Sequence, residues 1–199
     1  MLLQKEIGVI LDKLWEIGDD VEHCNLLEIT YQRQAYVDDT VKRVVEPVAI
    51  LFSEYYFYMN AYIVEKNEKG QYVHKYEYPA VFRLDRIRDF KETGEKFRIS
   101  YSDYFDAGEF RKRVQFMWTG KLFKIQLKYM GTAVEVILDR LPTAVIKSQN
   151  EKEYIIESEV YGKGILMWLL SQGTNVELLK PESLRAEMKR KLIDMLEKY

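Results

Sequence analysis

Phe123-Lys124-Ile125-Gln126-Leu127-Lys128-Tyr129 alternates apolar and polar side chains without a break. Successive side chains of a strand point to opposite faces, so this run is a strand with one wet face and one core face. The residues after it keep changing period. Val134, Ile137, Leu138 and Leu141 recur at helical spacing, which predicts a helix over 133–141. Thr132 and Glu135 are spaced as a capping box at its start, and Pro142 stops it. Two strands follow, over 144–147 and 153–161, joined by Ser148-Gln149-Asn150. A second helix, over 164–172, is apolar nearly all round and is closed by Gly173. A short strand over 176–179 precedes a last helix opened by Pro181, with Leu184, Met188, Leu192, Met195 and Tyr199 on one face. The order β-α-β-β-α-β plus a terminal helix predicts a ferredoxin-like unit over 122–199.

Working outward, residues 26–90 are β-rich. Leu27, Ile29 and Tyr31 alternate with polar neighbours, and a second run covers 41–52. Ser53-Glu54 separates it from a third run over 55–64, which predicts a hairpin. Lys66-Asn67-Glu68-Lys69-Gly70 is a polar turn, and Pro79 divides two further strands over 72–78 and 81–87. About five short strands with tight turns suggest a small barrel. Residues 91–121 read as a connector with a helix over 106–118. Leu3, Ile7, Ile10, Leu11 and Leu14 predict an amphipathic helix over 2–17 that Gly18 ends, so that residues 1–25 form an N-terminal helix and linker. The predicted class is α+β.

Composition narrows the function classes. The 199 residues are 47% hydrophobic and 31% charged, as expected of a soluble chain with a core. A net charge of −2 argues against a whole-surface grip on duplex DNA, though not against a local basic patch. The lone Cys24 allows no internal disulfide and points to the cytoplasm. The longest apolar runs, such as 165–170, are far short of the ~20 residues of a membrane span, and no signal peptide is evident.

Catalytic chemistry has no anchor in the sequence. His23 and Cys24 are adjacent and His74 is remote, a spacing unlike a zinc site or a nucleophile–base–orienter set. There is no nucleophile elbow and no phosphate loop. The expectation is therefore no catalytic residue, no metal and no cofactor; a hydrolase built on scattered carboxylates is the weakest alternative.

The concentrated signal is basic and aromatic. Lys42 and Arg43 precede Pro47; Tyr55, Tyr56, Phe57, Tyr58 and Tyr62 fill the third run; Arg83, Arg86 and Arg88 follow. Guanidinium forks match phosphates and carboxylates, and aromatic faces stack with bases. The competing reading makes the aromatics core and the arginines a solvated edge. Period-2 alternation assigns Phe57, Met59, Ala61 and Ile63 to the core face and Tyr56, Tyr58, Asn60 and Tyr62 to a polar-tipped face. On a regular strand Arg83 and Arg86, three apart, point to opposite faces.

Three segments together carry a family resemblance: Arg43-Val44-Val45-Glu46-Pro47, Phe57-Tyr58-Met59-Asn60-Ala61-Tyr62, and Phe82-Arg83-Leu84-Asp85-Arg86-Ile87. In this order they resemble the WYL domain of bacterial transcriptional regulators, Phe57-Tyr58-Met59 standing where Trp-Tyr-Leu gives the family its name. Gly164, Trp168-Leu169-Leu170-Ser171, Gly173, Val176, Leu178, Pro181 and Leu184 are similar to the extension that often follows a WYL domain. The resemblance covers residues 26–199. It implies an SH3/Sm-like barrel over 26–90, then the ferredoxin-like unit. It implies a ligand-sensing role, with a nucleotide or single-stranded oligonucleotide as effector. Arg43, Tyr58, Arg83 and Arg86 fall on the family's polar and basic positions, and Tyr56 joins them from the aromatic pattern. A homodimer and a DNA-binding domain or partner chain are implied partners, although the family's winged helix-turn-helix is not matched by the single helix before residue 26. The alternative is a protein-binding or dimerisation module without a small ligand.

Overall fold

The computed structural model describes residues 2–33, 39–98 and 105–199. Two compact units divide the chain, Met1–Ala107 and Gly108–Tyr199.

The first unit begins with α1 (Leu2–His23). The helix runs past Gly18, the expected end, for two reasons. Ile17 is fully buried in the core, and the buried Asp20 carboxylate accepts a 3.0 Å hydrogen bond from Asn25 Nδ2, tying the last turn to the next strand. The chain leaves the helix at Cys24, whose φ of 56° supplies the left-handed exit that Gly18 was expected to give. Leu14 joins Ile17 against the core. The predicted positions Leu3 and Ile7 lie outside the residues whose side chains are described.

Six strands follow: β1 (Asn25–Gln32), β2 (Thr40–Ser53), β3 (Tyr56–Lys66), β4 (Tyr72–His74), β5 (Ala80–Arg83) and β6 (Ile87–Lys96). They form one antiparallel sheet in the order β4-β3-β2-β1-β6, with β5 also paired to β3. The sheet is open: no ladder joins β5 to β6 among the described residues, and a 3₁₀ turn, Leu84–Arg86, links them instead. That turn interrupts the single strand expected over 81–87. β6 lies inside the expected connector and adds a sixth strand; residues 99–104 of that connector are outside the described residues.

Local chemistry explains the joints of the sheet. β2 carries Pro47 in mid-strand, which is tolerated because the β1 ladder ends at Val45, leaving that side unpaired. A register shift between Pro47 and Ala49 puts a bulge at Val48. Glu54 and Tyr55, both at positive φ (45° and 76°), make the two-residue turn between β2 and β3, the geometry that matches hairpin twist. The turn is thus one residue later than Ser53-Glu54. Leu27, Ile29, Val45, Met59, Ala61, Leu84 and Ile87 form the core, with Phe57 and Ile63 packed against it. The core alternation read from β3 therefore holds.

The second unit is a four-stranded antiparallel sheet in the order β10-β7-β9-β8. Its elements are α2 (Ala107–Arg113), β7 (Leu122–Tyr129), α3 (Glu135–Arg140), β8 (Val145–Gln149), β9 (Tyr154–Tyr161), α4 (Gly164–Ser171), β10 (Val176–Lys180) and α5 (Glu182–Leu196). α2 is shorter than the helix expected over 106–118 because Phe116 and Met117 adopt left-handed φ of 54° and 52°. The Thr132–Glu135 capping box does not form: the N-cap is Val134, with no side-chain cap. The Tyr129 hydroxyl donates to the Ala133 carbonyl at 2.9 Å and fixes the helix entry in its place. Gly162, at φ 64°, crosses Thr119 so closely that a Cβ there would lie 2.5 Å from the Thr119 carbonyl oxygen. Ile125, Leu127, Ile137, Ile156, Ile165 and Leu169 fill the core, and Trp168 and Leu184 close it. Leu192, Met195, Leu196 and Tyr199, toward the end of the chain, are exposed.

Candidate functional site

The 3₁₀ turn Leu84–Arg86 separates the two arginines: Arg83 ends β5 in extended backbone and Arg86 ends the turn. Leu84 and Ile87, three apart, are both fully buried, so the strand alternation expected to set Arg83 and Arg86 on opposite faces does not apply here.

Arg83 is the most engaged of the five candidate residues. Its backbone N–H approaches the Tyr31 hydroxyl at 3.4 Å. Its guanidinium lies over the Tyr56 ring, 3.5 Å from the centroid. Its fork holds Asp85, Nε to Oδ1 at 3.0 Å and Nη2 to Oδ2 at 2.6 Å. The bond to Asp85 holds the Arg83 pKa above its ordinary value. The fork is thus matched to a planar pair of oxygens, and Asp85 is the resident occupant.

Tyr58 stands opposite Arg83 in the β3–β5 register. The Tyr56 and Tyr58 rings meet edge-on at 6.4 Å. Burial pushes the Tyr58 phenol above its ordinary pKa, with the neighbouring Arg83 opposing it. It stays protonated well beyond neutral pH and is available as a hydrogen-bond donor.

Arg86 Nη1 donates to the Arg33 carbonyl at 3.3 Å. Arg88 bonds the Gln32 side chain, and Lys13 of α1 bonds the Ile87 carbonyl. Burial, then the charge of Arg88, lowers the Lys13 pKa. Lys13, Arg33, Arg83, Arg86 and Arg88 therefore surround the 3₁₀ turn, with Asp39 paired to Arg33 and Asp85 to Arg83. Arg86 and Arg88 have no carboxylate partner among the described residues. Lys13 and Arg33 are additions that the sequence did not mark: the packing of α1 brings Lys13 to the Ile87 carbonyl, and the β1–β6 register brings Arg33, just past β1, to the turn.

Arg43 stands apart. It pairs with Ile29 on the core-facing side of β2, and its Nη1 donates to the adjacent Lys42 carbonyl at 3.0 Å. No hydrogen bond or ion pair joins it to Arg83 or Arg86 among the described residues. The structure thus brings together Tyr56, Tyr58 and Arg83, holds Arg86 on the Arg33 carbonyl at the end of the 3₁₀ turn, and leaves Arg43 along the β1–β2 ladder.

A pocket of about 200 Å³ opens next to the Arg83–Tyr56 stack. Ile10 and Leu11 of α1, Tyr55, Tyr56 and Phe57 of the hairpin, and Leu84 and Asp85 line it. It is below the roughly 300–1,000 Å³ of drug-sized sites.

An antiparallel sheet bearing a cluster of cations beside Tyr56 and Tyr58, followed by a second unit of β-α-β-β-α-β order, defines a two-unit chain. Comparison with known families gives that class its name. The WYL domain matches residues 13–92 and the WCX domain residues 123–196. The chain belongs to the WYL-domain family, with a WCX domain as its second part. No curated protein matches it. Among solved structures, it is similar to the proteasome accessory factor B/C (PafBC) of Arthrobacter aurescens, at 18% identity, over 96% of this chain and 27% of that one, with a TM-score of 0.42. It is also similar to a CRISPR Cas-related protein, at 14% identity, over 98% of this chain and 52% of that one, with a TM-score of 0.54. The chain thus spans 27% and 52% of those two chains. The second likeness is one of fold. No helix among the described residues is long and apolar enough to cross a membrane.

Proposed function

We propose that this chain is the ligand-sensing part of a bacterial transcriptional regulator and that its ligand carries phosphate, as a nucleotide or a single-stranded oligonucleotide. The observation that carries this reading is Arg83: its guanidinium is already stacked on Tyr56, and its fork already holds a planar anion, Asp85. A phosphate presents the same pair of oxygens and competes for the same fork. Arg86 adds a second cation at the same turn, and Tyr58 donates its hydroxyl. Tyr56 is the stacking platform. The chain works without a cofactor or metal, by binding alone, in the cytoplasm.

We read the first unit as an opened Sm-like barrel and the second as ferredoxin-like. The strand order β10-β7-β9-β8 and the element order β-α-β-β-α-β support the second assignment. The division into an N-terminal helix over 1–25, a WYL unit over 26–90, a connector over 91–121 and an extension over 122–199 belongs to the same reading. Ligand binding is relayed to a DNA-binding domain or partner chain.

A second reading, self-association without a ligand, is favoured by one observation. The C-terminal half of α5 leaves Leu192, Ile193, Met195 and Leu196 exposed beside a groove of about 790 Å³ lined by Met130, Leu170, Val176, Leu178 and Met188. Native mass spectrometry of the chain with and without short single-stranded oligonucleotides separates the two. A dimer that gains one oligonucleotide per copy is expected. A dimer that gains none leaves the second reading standing and removes the first.

A further inference from the structure

Asn60 departs from the pattern of its strand. Tyr56, Tyr58, Asn60 and Tyr62 alternate along one face of β3, and three of the four are aromatic. The two ends of this row carry planar partners. Arg83 covers Tyr56, and His74 stacks on Tyr62 with ring centroids 4.3 Å apart and planes 3° from parallel, while hydrogen-bonded to Glu46 at 2.7 Å. Between these two stacks stand Tyr58 and Asn60.

Asn60 has 0% exposure, yet neither its amide nitrogen nor its amide oxygen has a hydrogen-bond partner among the described residues. Its register neighbours are Ala49 on β2 and Val81 on β5, neither with a polar side chain. Packing alone is served better at such a position by an aliphatic residue, because a buried amide with no partner loses its hydration and gains nothing. Breaches of this kind concentrate where a chain serves a ligand rather than its own stability.

We propose that the side-chain amide of Asn60 reads the edge of a planar nitrogen heterocycle, the base of the nucleotide whose phosphate Arg83 holds. The inference rests on the nucleotide reading given above. The chemistry of the amide selects the class. Asn60 offers one donor group and one acceptor, both unspent, so its complement presents an acceptor beside a donor. Phosphate and carboxylate lack the donor; a guanidinium or ammonium lacks the acceptor. The edges of purines and pyrimidines have both, and Asn pairs bidentately with adenine in this way. The geometry suits a single nucleotide. The Tyr58–Arg83 and Asn60–Val81 pairs are adjacent on one face, about 7 Å apart along the strand, so phosphate and base engage neighbouring positions with the sugar between them. Because Asn60 is covered, engagement requires a neighbouring side chain to swing aside, and association is slower than encounter.

The test is calorimetric titration of the full chain with the four ribonucleoside monophosphates and with ribose 5-phosphate, which has the phosphate but no base. At least one nucleotide is expected to bind about tenfold or more tighter than ribose 5-phosphate. In Asn60→Leu that preference falls to about twofold or less, ribose 5-phosphate binds as before, and Tm does not drop, since an orphaned amide has been replaced by an apolar side chain of similar size. In Asn60→Asp, where the donor is lost, the rank order among the four nucleotides changes. Equal binding of nucleotides and ribose 5-phosphate by the wild type overturns the inference and leaves the phosphate reading intact. So does a base preference that survives in Asn60→Leu. An Asn60→Leu chain that is unstable or unfolded also overturns it, showing that the amide is satisfied within the fold. Binding of neither ligand class removes the phosphate reading and this inference together.

Discussion

Arg83→Met weakens binding of a short single-stranded oligonucleotide roughly 10- to 100-fold near 0.15 M salt, measured by fluorescence anisotropy. The range follows from one charge-assisted hydrogen-bonding group, worth roughly 1.5–3 kcal/mol when lost. Methionine keeps an unbranched stem over the Tyr56 ring, so the loss reports the guanidinium rather than packing. Two companions sharpen the result. Arg83→Lys keeps the charge but not the planar fork that now spans both Asp85 oxygens, and its loss is intermediate. Asp85→Asn removes the anion that occupies the fork and tightens binding. Unchanged affinity in both Arg83→Met and Asp85→Asn places the oligonucleotide away from this fork.

Met59→Ala lowers unfolding free energy by about 2–5 kcal/mol, whereas Met59→Leu costs less than about 1.5 kcal/mol. Met59 has 0% exposure, pairs with Ile50 on β2 and Phe82 on β5, and sits between Phe57 and Ala61 on the core face. Truncation to alanine leaves a cavity between strands already fixed by their ladders, so little collapse can relieve it. Leucine conserves volume and restores the residue for which the family is named. Urea denaturation followed by circular dichroism measures both. A larger cost for leucine than for alanine would show that the site demands methionine's unbranched shape. Because Tyr58 and Asn60 flank Met59 on the strand, Met59→Ala also loosens the face that binds ligand.

The strands with one apolar face were legible because burial and alternation coincide. β7 alternates in burial in step with Phe123 to Tyr129, whereas in β3 the core-face positions Met59 and Ala61 are buried but so is Asn60 between them. β6 was not legible. Its stretch Lys91-Glu92-Thr93-Gly94-Glu95-Lys96 has no apolar position to mark a face, and it pairs with β1 through the backbone, with a bulge at each end. The Arg83–Arg86 geometry was hidden for a different reason. Leu84 and Ile87 suit either a strand or a 3₁₀ turn, and only the packing of both into one core selects the turn. Asn60 read as a polar residue on a polar face; its full burial is a tertiary property that no local pattern encodes. Asp85 as the occupant of the Arg83 fork was likewise unread, although the two residues are only two positions apart.

The salt dependence of oligonucleotide affinity is the most direct measurement of whether guanidinium–phosphate contacts hold the ligand. Plotted as log affinity against log salt, the expected slope is about −0.7 per phosphate contact, so Arg83 and Arg86 together give roughly −1.4, and Arg83→Met reduces the magnitude by about 0.7. A flat plot, or a slope that Arg83→Met leaves unchanged, contradicts a phosphate grip at this turn.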